Sequence, residues 1–149
     1  PEETAGVLDS DGWLHTGDLG FEDRDGWIYL TGRKKNIIVT KTGKNIYPEE
    51  LEILVNASPY IADSMVFTSR RGGEETVGVQ ILPDPDYIRE QLGELPGEED
   101  LDRLMKKVIG EVNENLPNYK RIRDVFVRKE DFTRTTTKKI KRQDNMEVR

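Results

Sequence analysis

Between residues 98 and 116, apolar side chains fall at Leu101, Leu104, Met105, Val108, Ile109, Val112 and Leu116, the spacing of one helical face. A helix of that length is marginal in water on its own, so its stripe has to lie on another apolar surface. The chain offers one. Residues 61–68 and 76–82 are rich in β-branched and aromatic types, and Arg70-Arg71-Gly72-Gly73-Glu74 between them predicts a turn joining an antiparallel pair.

The remaining segments fit around that pair. Pro48-Glu49-Glu50 predicts a helix start, with proline in the first turn, acid at the positive end of the dipole, and Leu51, Leu54 and Val55 on its apolar face. Residues 84–92 read as a short helix and 125–127 as a last strand. Residues 37–40 are strand-like, turned back by Lys41-Thr42-Gly43-Lys44-Asn45 toward Ile46. Near the front, Asp25-Gly26 between two β-prone runs signals a hairpin. Residues 1–12 read as an irregular entry, and no internal repeat is evident. Residues 133–149 have almost nothing to bury and are expected to be mobile in isolation. Interleaved helices and strands with an antiparallel pair inside predict an α+β fold, a small sheet with flanking helices preceded by a separate β-hairpin.

Composition narrows the function. Charged residues make up 35% and hydrophobic ones 34%, which predicts a thin core. A net charge of −6 argues against a general binder of nucleic acid or anionic membrane. Yet base gathers at Arg134, Lys138, Lys139, Lys141 and Arg142, which suggests a phosphate partner at one spot. No cysteine is present, which excludes thiolate chemistry and agrees with a reducing, cytoplasmic location. The lone His15 leaves too few ligands for zinc, and no metal site is expected. No apolar run is long enough to span a membrane, and peripheral association is left open. Pro1 opens the chain without an initiator methionine, so it reads as a fragment.

Three segments carry chemistry, each with a plainer reading alone. Thr16-Gly17-Asp18 offers two carboxylate oxygens suited to a pair of sugar hydroxyls, or an aspartate capping its own turn. Gly32-Arg33-Lys34-Lys35-Asn36 offers a cation for a nucleotide, or a solvated basic corner. The run 133–142 offers lysines for a phosphate, or a solvated tail; only Phe132 stands beside it, so single-strand nucleic-acid stacking is poorly supported.

Taken in order, residues 12–18, 25–35, 43–52 and 133–142 resemble the successive motifs of the adenylate-forming superfamily of acyl- and aryl-CoA synthetases, luciferases and peptide-synthetase adenylation domains. The resemblance implies that residues 1–33 end a large N-terminal domain missing from this chain, to which the hairpin belongs. Residues 34–132 are then the mobile C-terminal α+β domain and 133–149 a basic catalytic tail. It implies that Asp18 and Arg33 hold the ribose of ATP or AMP, that Lys35 is the hinge, and that Gly43 and Lys44 line the coenzyme A path. Lys139 would reach the active site during acyl-adenylate formation. The family carries glycine where this chain has Lys138, which leaves Lys138 as the rival; Ile140 after it favours Lys139.

The Lys-Lys-Ile-Lys-Arg ending is most similar to fatty acyl-CoA ligases, long-chain ones included. The implied partners are the N-terminal domain, ATP, a fatty acid and coenzyme A, with Mg2+ accompanying ATP and bound mainly by the missing domain. The alternatives kept open are an adenylation domain loading a carrier protein and a non-catalytic module with a basic tail.

Overall fold

In the computed structural model, which describes residues 2–146, the expected antiparallel pair is the centre of the fold. Strand β5 (Ile61–Arg71) pairs with β6 (Glu74–Pro83), and β7 (Ile122–Val127) joins β6 in parallel, giving the order β5-β6-β7. The pair runs to Arg71↔Glu74, further than expected, because Gly72 and Gly73 both take positive φ and close it with two residues. Helices α2 (Pro48–Asn56) and α4 (Glu98–Glu114) pack on the sheet, α2 against β5 and α4 against β7. Between them, α3 (Pro85–Leu92) is capped by the Asp84 carboxylate, which accepts from the backbone of Asp86 and Tyr87.

One face of the sheet carries the helices: Val66, Val77, Val79, Ile81 and Ile122 meet Leu51, Val55, Met105 and Ile109. Alternation along the strands puts Met65, Phe67, Gly78, Gln80 and Phe126 on the other face. Gly78 leaves room there; a Cβ would stand 2.8 Å from that of Ser69. Buried Phe132 and Asn145 belong to the segment that meets this second face, where Asn145 O accepts from Gln80 Nε2 at 2.6 Å. Within residues 133–146 Asn145 is the one buried side chain, so the expectation that residues 133–149 have almost nothing to bury needs amending for this group alone. What the segment buries is polar, which a reading of hydropathy does not count. Residues 147–149 of that tail, like Pro1, lie outside the described residues.

In front stand two small sheets: the expected hairpin, β1 (Asp18–Glu22) with β2 (Ile28–Arg33), and the two-residue pair β3 (Ile38–Val39) with β4 (Asn45–Ile46). A 3-10 turn, Lys34–Asn36, joins β2 to β3. Where an irregular entry is expected, Glu2–Val7 forms a short helix, α1.

A repeat does exist, at the scale of a turn. Residues 9–13, 23–27, 40–44 and 135–139 adopt the same five-residue loop. In each, the first residue's backbone N–H donates to the fifth carbonyl and its carbonyl accepts from the fourth N–H: Asp9 with Trp13 and Gly12, Asp23 with Trp27 and Gly26, Thr40 with Lys44 and Gly43, Thr135 with Lys139 and Lys138. The first side chain also accepts from the fifth N–H, at 2.9 to 3.1 Å. The sequences are Asp-x-Asp-Gly-Trp twice, then Thr-Lys-Thr-Gly-Lys and Thr-Thr-Thr-Lys-Lys. Asp and Thr recur because each can turn a side-chain oxygen onto its own backbone. The fourth residue is left-handed in all four, at φ +84, +85, +78 and +64, and only the last is not glycine.

Candidate functional site

Two of these turns present a lysine in fifth position, Lys44 and Lys139. The loop around Lys139 leaves the domain at Thr133, bridges Arg134 to Ile140 and returns at Lys141. The Lys139 N–H is held by Thr135 Oγ1 at 3.1 Å, so the backbone beneath the side chain is fixed. The side chain itself is exposed, and among the described residues its ammonium makes no ion pair.

Arg33 and Asp18 face each other across the β1–β2 ladder, with Arg33 Nε 2.7 Å from Asp18 Oδ1. The residues assigned to one ribose are thus neighbours although 15 positions apart. The left-handed Gly17 and the Thr16 hydroxyl, which accepts from the Asp18 N–H, shape the approach.

Lys35 lies in the 3-10 turn that follows Arg33. That corner is tethered to α2: Asn36 Nδ2 donates to Glu49 Oε1 at 2.6 Å, and Glu49 Oε2 is enclosed without a hydrogen-bond partner among the described residues. A Cβ on Gly32 would come within 2.8 Å of that oxygen, so a larger residue there would push the Glu49 carboxylate aside.

Arg33, Lys35, Lys138 and Lys139 line one cleft of about 1060 Å³ between the corner, the edge of β5 and the 134–146 segment. Seven lysine and arginine side chains line it against four carboxylates, a cationic surface on an acidic chain. Gly43 and Lys44 are not part of it. Lys44 Nζ lies 4.5 Å from the centre of the Tyr119 ring, and its turn borders a separate hollow of about 240 Å³ lined in part by Arg121 and Arg123. Among the described residues no group of three His, Asp or Glu could hold a metal ion, and no helix is long and apolar enough to cross a membrane.

The anchors of the loop were missed in the sequence. Arg142 donates to the Val66 carbonyl at 3.1 Å and meets Glu52 at 2.8 Å, while Glu52 accepts from the Val66 N–H. Together they occupy the open edge of β5, which would otherwise expose unpaired backbone. Burial pushes the Glu52 carboxyl above the ordinary glutamate value, with the Arg142 charge and the two hydrogen bonds opposing it. Arg134 meets Asp63 at 2.8 Å and Asp131 at 2.8 Å, and its hydrogen bond holds the Asp131 carboxyl below its usual range. The one available signal was the acid of α2 repeated at Glu49 and Glu52 opposite a late Arg142, a pairing that spacing alone does not reveal.

Against known proteins, residues 35–148 match the model of the AMP-binding enzyme C-terminal domain. A long-chain-fatty-acid–CoA ligase of Mycobacterium tuberculosis is 33% identical across 89% of this chain and 24% of its own length. The 4-coumarate–CoA ligase 4 of Arabidopsis thaliana is 36% identical across 85% of the chain and 20% of its own. Among solved structures, the O-succinylbenzoate coenzyme A synthetase of Bacillus subtilis in complex with ATP and magnesium ion superposes with a TM-score of 0.72 at 23% identity. That match covers 99% of this chain and 27% of that one. The chain therefore spans about a quarter or less of the length of these relatives.

Proposed function

The chain belongs to the AMP-binding enzyme C-terminal domain family of the adenylate-forming superfamily, and from that premise we propose that it is the mobile domain of a fatty acid–CoA ligase. Such an enzyme joins a carboxylate to AMP, releasing pyrophosphate, and then passes the acyl group to coenzyme A. On this reading residues 1–33 close the large domain, 34–132 swing about Lys35, and 133–149 carry the working lysine. The family match begins at residue 35, the proposed hinge itself. The large domain supplies the acyl pocket and most of the ATP and Mg2+ contacts, so the chain alone is inactive.

The cleft carries this reading. In adenylation a carboxylate oxygen attacks the α-phosphorus while the bond to pyrophosphate breaks, and two anions must be brought together. An unpaired ammonium on a fixed turn offsets that repulsion without reorganising as charge shifts. At about 4 Å and an effective dielectric near 20, one such pair is worth about 4 kcal/mol before desolvation. Arg33 holds one oxygen of Asp18 and so orients the carboxylate toward the ribose hydroxyls. Gly43 and Lys44, outside this cleft, serve the other half-reaction along the coenzyme A path; that two like turns sit apart suits a domain that offers a different one in each orientation.

The long-chain relative supports a fatty acid as the carboxylate. The deciding assay joins this domain to its large domain and measures thioester formation with acids from acetate to palmitate, and with coumarate. Preference for long acyl chains with free coenzyme A is expected. Preference for coumarate would overturn the substrate, and transfer to a carrier protein but not to coenzyme A would overturn the ligase.

A further inference from the structure

We propose that Asn145 is the positioning residue for Lys139, shaping from below the loop that presents the lysine; this rests on the role just proposed for Lys139. Asn145 is 2% exposed, the most deeply buried side chain of the segment that follows Phe132. Its Nδ2 donates to the Thr133 carbonyl at 3.0 Å and to the Lys141 carbonyl at 2.7 Å, and its Oδ1 accepts from the Thr133 N–H at 2.9 Å. Thr133 and Lys141 are the two stems of the loop, joined directly by the Lys141 N–H donating to Thr133 O at 2.9 Å. One amide group therefore ties both stems together, acting as a peptide unit of a missing strand would. Only Asn or Gln can both donate and accept in this way, and Gln is longer by one methylene.

The staple is anchored as well as made. Gln80, 1% exposed in the middle of the central strand, donates from Nε2 to the Asn145 carbonyl and accepts at Oε1 from Arg128. A chain of hydrogen bonds thus runs from the central strand to the loop stems. Beyond the stems, the bridge of Arg134 with Ile140 and the Thr135–Lys139 turn carry the geometry to the lysine. Arg142 and Arg134 fix where the loop lies on the domain; Asn145 fixes its internal shape. Asn145 touches no group assigned to substrate, so its influence on chemistry passes through Lys139 alone.

Truncation to alanine removes all three side-chain bonds while keeping the backbone carbonyl that Gln80 grips, so the anchor survives and the staple does not. Amide exchange on this chain reads the first half of the proposal. Asn145→Ala should lose protection at Lys138, Lys139 and Lys141 by at least about tenfold and leave strands β5 and β6 unchanged. Unchanged loop protection would overturn the staple, and so would a uniform loss through the whole sheet, which marks a residue needed for the fold at large.

The second half is read with the large domain attached. A displaced catalytic group costs on the order of a hundredfold. Asn145→Ala should therefore lower kcat for pyrophosphate release by about that factor, with KM for ATP and acyl transfer from supplied acyl-adenylate changed little. In the Lys139→Ala background it should do nothing more. An equal fall in both half-reactions, or a further fall in that background, would overturn the positioning role. If Lys139→Ala itself leaves pyrophosphate release intact, the reading of Lys139 and the positioning role fall together, while the exchange result still decides the staple.

Discussion

Lys138 stands at φ +64 in a turn whose three other copies carry glycine at the same place. A left-handed residue with a Cβ costs about 1–2 kcal/mol, part of which glycine returns as unfolded-state entropy. Lys138→Gly should therefore stabilise the domain by about 0.5–1 kcal/mol in urea unfolding, and destabilisation would show that the ammonium makes a compensating contact. The same geometry bears on which lysine works. Lys138 is where the turn asks for glycine, whereas Lys139 is held at its backbone and, among the described residues, forms no ion pair at its amine, so Lys138→Gly should also retain most adenylation. This distinction was half legible in the sequence: Thr-Lys-Thr-Gly-Lys and Thr-Thr-Thr-Lys-Lys are visible as strings, but their shared conformation is not. Asn145 was not legible at all, because a lone Asn in a basic stretch carries no period and its partners are backbone groups.

Among the elements, helix α4 and the β5–β6 pair were readable because each repeats an apolar spacing over enough residues to exclude the alternatives. The short pieces were not. The pair β3–β4 is two residues long and is held by a turn more than by its own side chains, so its bounds had no pattern to follow. The edge of β5 makes its own testable statement. Because burial raises the folded Glu52 value, its contribution to stability is full below the ordinary glutamate range and is lost as pH rises through the folded value. Arg142 restrains that loss. Replacing Arg142 by Met removes the opposing charge and two hydrogen bonds, a cost of about 1.5–3 kcal/mol at neutral pH. The destabilisation should be larger at pH 8 than at pH 4 in parallel denaturation curves. A penalty equal at both pH values would mean that Glu52 stays solvated and the pair does no more than fill space.

At the scale of the molecule, the hairpin and the sheet are unequal partners. Trp13, Trp27, Ile28 and Leu30 are all about 70% exposed, an apolar surface on and just before a two-stranded ribbon and its turn, which has little stability alone. Both tryptophans lie in this region, so the isolated chain should show water-like, red-shifted emission that moves little on unfolding, and a blue shift once the proposed large domain is attached. Blue-shifted emission from the chain alone would mean that the hairpin finds its cover within it. The 3-10 corner at Lys34–Asn36 joins β2 to β3, and the swing proposed above would be absorbed by a few backbone dihedrals at such a place. Proline at position 35 fixes φ and drives Lys34 away from helical values. Lys35→Pro should thus spare pyrophosphate release and abolish acyl transfer; equal effects on both would move the pivot elsewhere. Lys139→Ala in a protein that unites this domain with the proposed large one, with the two half-reactions assayed separately, decides the role of the lysine directly. Pyrophosphate release should fall by at least about a hundredfold while transfer from supplied acyl-adenylate to coenzyme A proceeds near the unaltered rate, and equal slowing of both would contradict it.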